Sequence, residues 1–182
     1  MNDILKDNDI VVITGPMKCG KTRQLIELYN HYKTIYNCSM FKPELDNRFA
    51  EHEVVDRDKN KIPCNNIKEL HQLKEYLLIC DVYFIDEFQF LNGNIDTILT
   101  MVDKCKKFII SGLNLTSDRK PFGLMPHILS CADEVIIKTA NCDICGEPAK
   151  YTYCGAEKQD DILVGDEQYK SVCKKCYKEL RG

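Results

Sequence analysis

Apolar residues along this chain fall in short runs with little polar alternation. Ile10-Val11-Val12-Ile13 leads to Gly15-Pro16, Val82-Tyr83-Phe84-Ile85 to Asp86-Glu87, Phe108-Ile109-Ile110 to Ser111-Gly112, and Val135-Ile136-Ile137 to Lys138-Thr139-Ala140. Such runs predict strands covered on both faces, as in a parallel sheet. Cys38-Ser39-Met40-Phe41 is more weakly patterned and adds a further candidate strand. Between the runs the spacing turns helical. Leu25, Ile26, Tyr29 and Tyr32 share one face, as do Ile67, Leu70, Leu73 and Leu77, and again Ile95, Ile98, Leu99 and Val102. Strand and helix in alternation predict an α/β domain. Right-handed crossovers then gather the C-terminal strand ends at one edge, where ligands collect.

Two stretches depart from this pattern. Residues 42–66 are charged and rich in turn formers, for example Lys42-Pro43-Glu44-Leu45-Asp46-Asn47-Arg48, and read on their own as a solvated excursion. From Asn141 onward cysteine and glycine rise and long helical patterns disappear. The chain therefore divides into an α/β domain over 1–140 and a small module over 141–182.

The first strand runs into Gly15-Pro16-Met17-Lys18-Cys19-Gly20-Lys21-Thr22, which fits G-x-x-x-x-G-K-[ST]. Glycines let the backbone fold into a nest of N–H groups for phosphate oxygens, and the following helix adds positive potential there. Lys21 supplies an ammonium to the β- and γ-phosphates and Thr22 a hydroxyl to Mg²⁺. Cys19 reads as a small filler. The fold expected is thus a P-loop NTPase-like parallel sheet flanked by helices. Asp86-Glu87 closes another strand and should reach the same edge. Asp86 is the expected Mg²⁺ partner, and Glu87 either accepts a proton from an attacking hydroxyl or orients an attacking water. The first role makes a kinase and the second an ATPase.

Composition narrows the partners. The 182 residues carry 25 Lys+Arg against 28 Asp+Glu, a net charge of −3, which speaks against a nucleic-acid-binding protein. No apolar run approaches the length of a membrane span. The polar, acidic start Met1–Asp9 lacks the features of an export signal, so a cytoplasmic protein is expected. Its eleven cysteines should then be thiols or metal ligands. Cys142-x-x-Cys145 and Cys173-x-x-Cys176 have the pairing of a closed structural Zn²⁺ site, with an inserted loop between the halves. Residues 142–182 hold seven Lys+Arg and eight Asp+Glu, a poor phosphate-backbone grip, so the insertion is the expected working part. It includes Tyr151-Thr152, Ile162-Leu163-Val164-Gly165 and Tyr169. The competing reading is a zinc-ribbon P-loop ATPase that binds nucleic acid or a protein partner.

Several segments occur in a telling order: Gly15-Pro16-Met17-x-x-Gly20-Lys21-Thr22, Asp46-x-Arg48, Asp86-Glu87-x-Gln89-Phe90, Gly112-Leu113, Arg119-Lys120-Pro121-Phe122-Gly123, Ala132-Asp133-Glu134-Val135, the first cysteine pair, Ala149-x-Tyr151-Thr152, and Tyr169-x-x-Val172-Cys173-x-x-Cys176. From about residue 9 to 178 the chain resembles the thymidine kinases of the compact, zinc-containing type. That resemblance implies γ-phosphate transfer from ATP to the 5′-hydroxyl of thymidine, with deoxyuridine as a second acceptor and dTTP as feedback inhibitor. It implies Mg²⁺, a structural Zn²⁺ holding a C-terminal lasso, and a homotetramer. By position, Glu87 is the base, Asp86 and Thr22 serve Mg²⁺, and Lys21 steadies the phosphate within the 15–22 loop. Asp46 and Arg48 flank the phosphates. Met17, Phe90, Leu113, Ser117 and Phe122 line the base and sugar pocket, and Thr152, Ile162, Leu163, Val164, Gly165 and Tyr169 form the lasso over the base. The chain departs from the family at Ser117, where a Phe usually packs on the base, and at Cys154, where many members carry a basic residue.

Overall fold

The computed structural model describes residues 3–45, 52–155 and 168–182. In chain order, β1 (Ile10–Thr14) leads through the glycine-rich loop into α1 (Lys21–Tyr32), then β2 (Cys38–Pro43). A hairpin of β3 (Glu53–Val55) and β4 (Lys61–Pro63) precedes β5 (Asn65–Ile67) and a 3₁₀ segment, Leu70–Tyr76. Next come β6 (Val82–Ile85), α2 (Asp96–Val102), β7 (Lys107–Gly112), α3 (Met125–Cys131) and β8 (Glu134–Ile137). The C-terminal part holds β9 (Ala140–Asn141), β10 (Pro148–Ala149), β11 (Tyr151–Cys154), β12 (Tyr169–Val172) and α4 (Lys174–Glu179).

The expected α/β architecture is present. Six strands form one parallel sheet in the order β5-β2-β6-β7-β1-β8. Successive residues of the buried strands point to opposite faces. Ile10, Val12, Phe41, Tyr83, Ile85, Phe108 and Ile110 face the 3₁₀ segment, α2 and α3. Val11, Ile13, Met40, Val82, Phe84 and Ile109 face α1 and the hairpin, which contributes Val54 and Ile62. The central strands β1, β6 and β7 are therefore mostly apolar because they have two cores to fill. The C-terminal ends of β1, β6 and β7 lie side by side, with Thr14 in register with Gly112 and Ile85 with Ile110. That edge carries the glycine-rich loop, Asp86-Glu87 and Leu113.

Three sequence expectations change. The helix drawn through Ile67, Leu70, Leu73 and Leu77 is a strand followed by a 3₁₀ turn. Ile67 belongs to β5, and Leu70, Leu73 and Tyr76 repeat every three residues, the period of a 3₁₀ helix. The run Val135-Ile136-Ile137 forms an edge strand rather than one covered on both faces; Val135 is 38 % and Ile137 70 % exposed. The excursion at 42–66 contains the β3–β4 hairpin, and its apolar residues Val54 and Ile62 cover α1's side of the sheet. Among the described residues no helix is long and apolar enough to cross a membrane.

Candidate active site

At the end of β1 the chain turns through Gly15 with φ 147°, where a side chain's Cβ would lie 2.4 Å from the Lys138 carbonyl oxygen. Only glycine lets the loop pass this close to the start of the β8 exit. Lys18 adopts a left-handed φ of 61° and Gly20 one of 77°, so the loop curls before α1 begins at Lys21. The Lys21 ammonium folds back over the loop and donates to the Pro16 carbonyl at 2.9 Å. Cys19 packs with Ala140, Cys142, Val172 and Tyr177, the filler role expected of it.

The acid pair at the end of β6 reaches this loop. Thr22 Oγ1 donates to Asp86 Oδ2 at 2.9 Å, joining the first turn of α1 to β6 across the intervening strand β7. Asp86 is buried. Glu87 follows in a left-handed conformation, φ 49° and ψ 41°, rare for a residue with a side chain and typical of functional turns. Gln89 holds it: the Gln89 amide nitrogen donates to Glu87 Oε2, and its amide oxygen accepts from the Leu113 N–H at 2.9 Å. Gln89 is 3 % exposed, while Glu87 and Leu113, its partners, line the cleft.

These groups open on a cleft of about 300 Å³ bounded by Lys21, Thr22, Asp86, Glu87, Met17 and Leu113, with the β3–β4 hairpin as its far wall. Asp56 shapes the hairpin tip by accepting from the Asp58 and Asn60 N–H groups, each at 2.9 Å. The tip is tied to α1 by Arg23 to Asp58 at 3.0 Å, and its base to β2 by the Lys42 ammonium on the Glu53 carbonyl at 3.0 Å. Lys18, Lys21, Arg23, Lys42 and Arg57 line the cleft together with Glu53, Asp56, Asp58, Asp86 and Glu87, so both signs of charge meet there. That polarity suits a polyphosphate neutralised in part by protein and in part by a divalent ion.

The cysteine quartet assembles as expected. The four sulfurs of Cys142, Cys145, Cys173 and Cys176 lie within 4.8 Å of one another, and Cys145 and Cys173 are 3.7 Å apart. A tetrahedral Zn²⁺ with bonds of about 2.3 Å spaces its sulfurs about 3.8 Å apart, so the donor set fits Zn²⁺. Burial pushes the Cys142 thiol up, but backbone N–H groups of Cys145, Cys173 and Ile144 outweigh it and bring it down to about 6. The thiolate is the ligating form. Among the described residues this is the one group of His, Cys, Asp or Glu side chains placed to share an ion as three or more ligands.

From this knuckle β11 and β12 run antiparallel, with Thr152 opposite Ser171. Thr152 Oγ1 accepts from the Met17 N–H at 3.0 Å, so the base of the inserted segment rests directly on the glycine-rich loop. Phe90 and Phe122 meet edge to face with centroids 5.4 Å apart. Ser117 is buried, and its carbonyl accepts from the Tyr177 hydroxyl at 2.7 Å. The Arg119 guanidinium lies over Tyr151 at 4.8 Å and Tyr177 at 5.4 Å, pinning the 113–123 loop to α4 and β11. Tyr169 opposes Cys154 at the open end of the β11–β12 pair. Asp46, Arg48, Ile162, Leu163, Val164 and Gly165 lie outside the described residues.

Of the residues singled out from sequence, Met17, Lys18, Gly20, Lys21, Thr22, Asp86, Glu87 and Leu113 line the cleft and Thr152 bonds to its loop, whereas Phe90, Ser117, Phe122 and Tyr169 are not part of that lining. Sequence reasoning assigned no role to Gln89, Ser171 or Asp143, which organise the site through hydrogen bonds. Gln89 stood inside Asp-Glu-x-Gln-Phe, and its spacing after the acid pair was the available signal.

A family model described as thymidine kinase matches residues 8–177. Similar proteins bear the same name. One from Bacteroides thetaiotaomicron is 33 % identical, spanning 95 % of this chain and 88 % of its own. One from Mycoplasma mobile is 35 % identical over 95 % of this chain and 88 % of its own. One from Mesomycoplasma hyopneumoniae is 34 % identical over 94 % and 96 %.

Proposed function

The chain belongs to the thymidine kinase family, and from that premise we infer that it phosphorylates thymidine, moving the γ-phosphate of ATP to the 5′-hydroxyl to give dTMP. The observation that carries this reading is the convergence on one cleft of Lys21, the Thr22–Asp86 pair and Glu87, with Thr152 bonded to the loop from the C-terminal side. In this reading Glu87 takes the proton of the 5′-hydroxyl. The 5′ oxygen forms a bond to the γ-phosphorus as the bond to the β,γ-bridging oxygen breaks, and ADP leaves with the electron pair. Lys21 and the residues 15–22 hold the phosphates, flanked by Asp46 and Arg48. Thr22 and Asp86 hold Mg²⁺, which when bound neutralises phosphate charge that would repel the alcohol. Positioning and charge stabilisation supply most of the catalysis.

Met17, Phe90, Leu113, Ser117 and Phe122 contact base and sugar, and the 141–182 module covers the base with Thr152, Ile162, Leu163, Val164, Gly165 and Tyr169. Water kept out by that cover would spare ATP from hydrolysis. The Zn²⁺ of the four cysteines is structural. Deoxyuridine acceptance, feedback inhibition by dTTP, a homotetramer and a cytoplasmic location complete the reading. A radiolabel assay with ATP, Mg²⁺ and each of four deoxynucleosides tests it. Thymidine should be phosphorylated, and Glu87→Gln should lose turnover while still binding ATP. Thymidine-independent ATP hydrolysis without dTMP would refute it. The zinc-ribbon ATPase reading is not favoured by the family relationship.

A further inference from the structure

The turn of the phosphate loop at Met17–Lys18 is held from the C-terminal segment. Ser171 Oγ donates to the Met17 carbonyl at 2.6 Å, while Thr152 Oγ1 accepts from the Met17 N–H at 3.0 Å. Thr152 and Ser171 are opposite one another on β11 and β12, so a single rung aims two hydroxyls at the two polar groups of one residue. Ser171 is fully buried. Its own backbone is fixed by Asp143, whose N–H donates to the Ser171 carbonyl and whose Oδ2 accepts from the Ser171 N–H, both at 2.8 Å. The same carboxylate oxygen accepts from the Lys18 ammonium at 2.9 Å. Asp143 lies beside Cys142, inside the first cysteine turn.

These bonds surround a strained residue. Lys18 has φ 61°, and a left-handed residue with a side chain persists where its surroundings over-determine it. Here the residue before it is held at its N–H and at its carbonyl, and the Lys18 side chain is held as well. The loop shape that receives phosphate is therefore set by two segments, the sheet that delivers Gly15 and the knuckle that holds Met17 and Lys18.

We propose that Ser171 is a positioning residue for ATP binding: acting through the Met17 carbonyl, it links the metal knuckle and the β11–β12 pair to the shape of the phosphate loop. It rests on the kinase reading of the cleft. Because Met17 also faces the nucleoside side of that reading, donor and acceptor binding become coupled, each tightening the other by the same factor. Removing the Ser171 hydroxyl leaves a buried carbonyl without its donor, and the loop loses one of the restraints on its strained turn.

The test is titration calorimetry of the non-hydrolysable analogue AMP-PNP with Mg²⁺, with and without saturating thymidine, on the zinc-loaded protein. In Ser171→Ala the analogue's Kd should rise about 3- to 10-fold, and the gain in affinity that thymidine confers should shrink towards nothing. Ser171→Thr, which keeps the hydroxyl, should restore both to within about twofold. Zinc content and melting temperature are read on every variant. Wild-type analogue affinity and coupling in zinc-replete Ser171→Ala would overturn the proposal, as would equal losses in the Ala and Thr variants. If Ser171→Ala fails to fold or loses zinc, Asp143→Asn reads the same linkage from the knuckle, with the same expected and refuting results. Failure of the wild-type protein to bind AMP-PNP would instead overturn the kinase reading beneath it.

Discussion

Gln89 touches the proposed base with one end of its amide and the Leu113 backbone with the other, so two substitutions separate its contacts. In Gln89→Leu both are lost. The bond to the Glu87 carboxylate is charge-assisted, and such bonds contribute about 1.5–3 kcal/mol. If Glu87 needs it in the transition state, kcat falls about 10- to 150-fold at 1.36 kcal/mol per decade. The Leu113 N–H also loses its acceptor, which disturbs the nucleoside pocket and raises the thymidine KM. Gln89→Glu keeps an oxygen for Leu113 while replacing the donor to Glu87 by a like charge. It should therefore lose as much kcat as Gln89→Leu, or more, while its thymidine KM stays nearer to wild type. Steady-state kinetics with thymidine and ATP, checked by circular dichroism for retained fold, measures both quantities. Wild-type kcat in Gln89→Glu, or both variants within twofold of wild type, would refute the reasoning that Gln89 orients Glu87.

Three other outcomes rest on other parts of the structure. Gly123→Ala combines a φ of +50° with a Cβ 2.1 Å from the Gln89 carbonyl oxygen, a backbone atom that cannot swing aside. It should cost more than about 1 kcal/mol of stability and also lower kcat by displacing Gln89, as read by chemical denaturation and kinetics. The protein should carry one Zn²⁺ per chain by elemental analysis, and chelation or Cys173→Ser should lower the melting temperature; a metal-free protein with an unchanged melt would contradict the structural role. Burial and then the Asp3 carboxylate push the Tyr32 hydroxyl up to about 12, above the value of about 10 for an unfolded phenol. Its contribution is complete below about pH 10 and is lost as pH rises towards 12, because the unfolded chain releases this proton first. Tyr32→Phe should flatten that part of the alkaline stability profile.

What could be read from sequence followed from how many constraints each element obeys. β1, β6 and β7 fill two cores at once, so each carries an unbroken apolar run that stands out. The glycine-rich loop and the cysteine pairs are fixed by chemistry at set spacings and were equally plain. β5 was invisible because Asn65 and Asn66 are polar and only Ile67 is buried, so three residues gave no periodicity. The β3–β4 hairpin was hidden for a related reason: Val54 and Ile62 are buried while their neighbours on the short strands meet solvent. Leu70 and Leu73 fit an α-helical stripe as well as a 3₁₀ one, and the period alone did not separate them. Ser171 and Asp143 resemble solvated residues in sequence, and their importance comes from Met17 and Lys18, more than a hundred positions away.

The grip of Ser171 and Thr152 on Met17 also bears on how this chain can be rebuilt. Composition changes at Asn141 as though a separable cassette began there, yet its hydroxyls terminate on the opposite end of the polypeptide. A chimera that grafts a relative's cysteine-bounded tail onto this sheet keeps the grip on the Met17 backbone only if the graft brings hydroxyls at the places of Thr152 and Ser171, and keeps the ion pair only if residue 18 matches the place of Asp143. The transplantable unit is thus a pair of distant segments, and recombination breakpoints between them should yield folded yet poorly active hybrids.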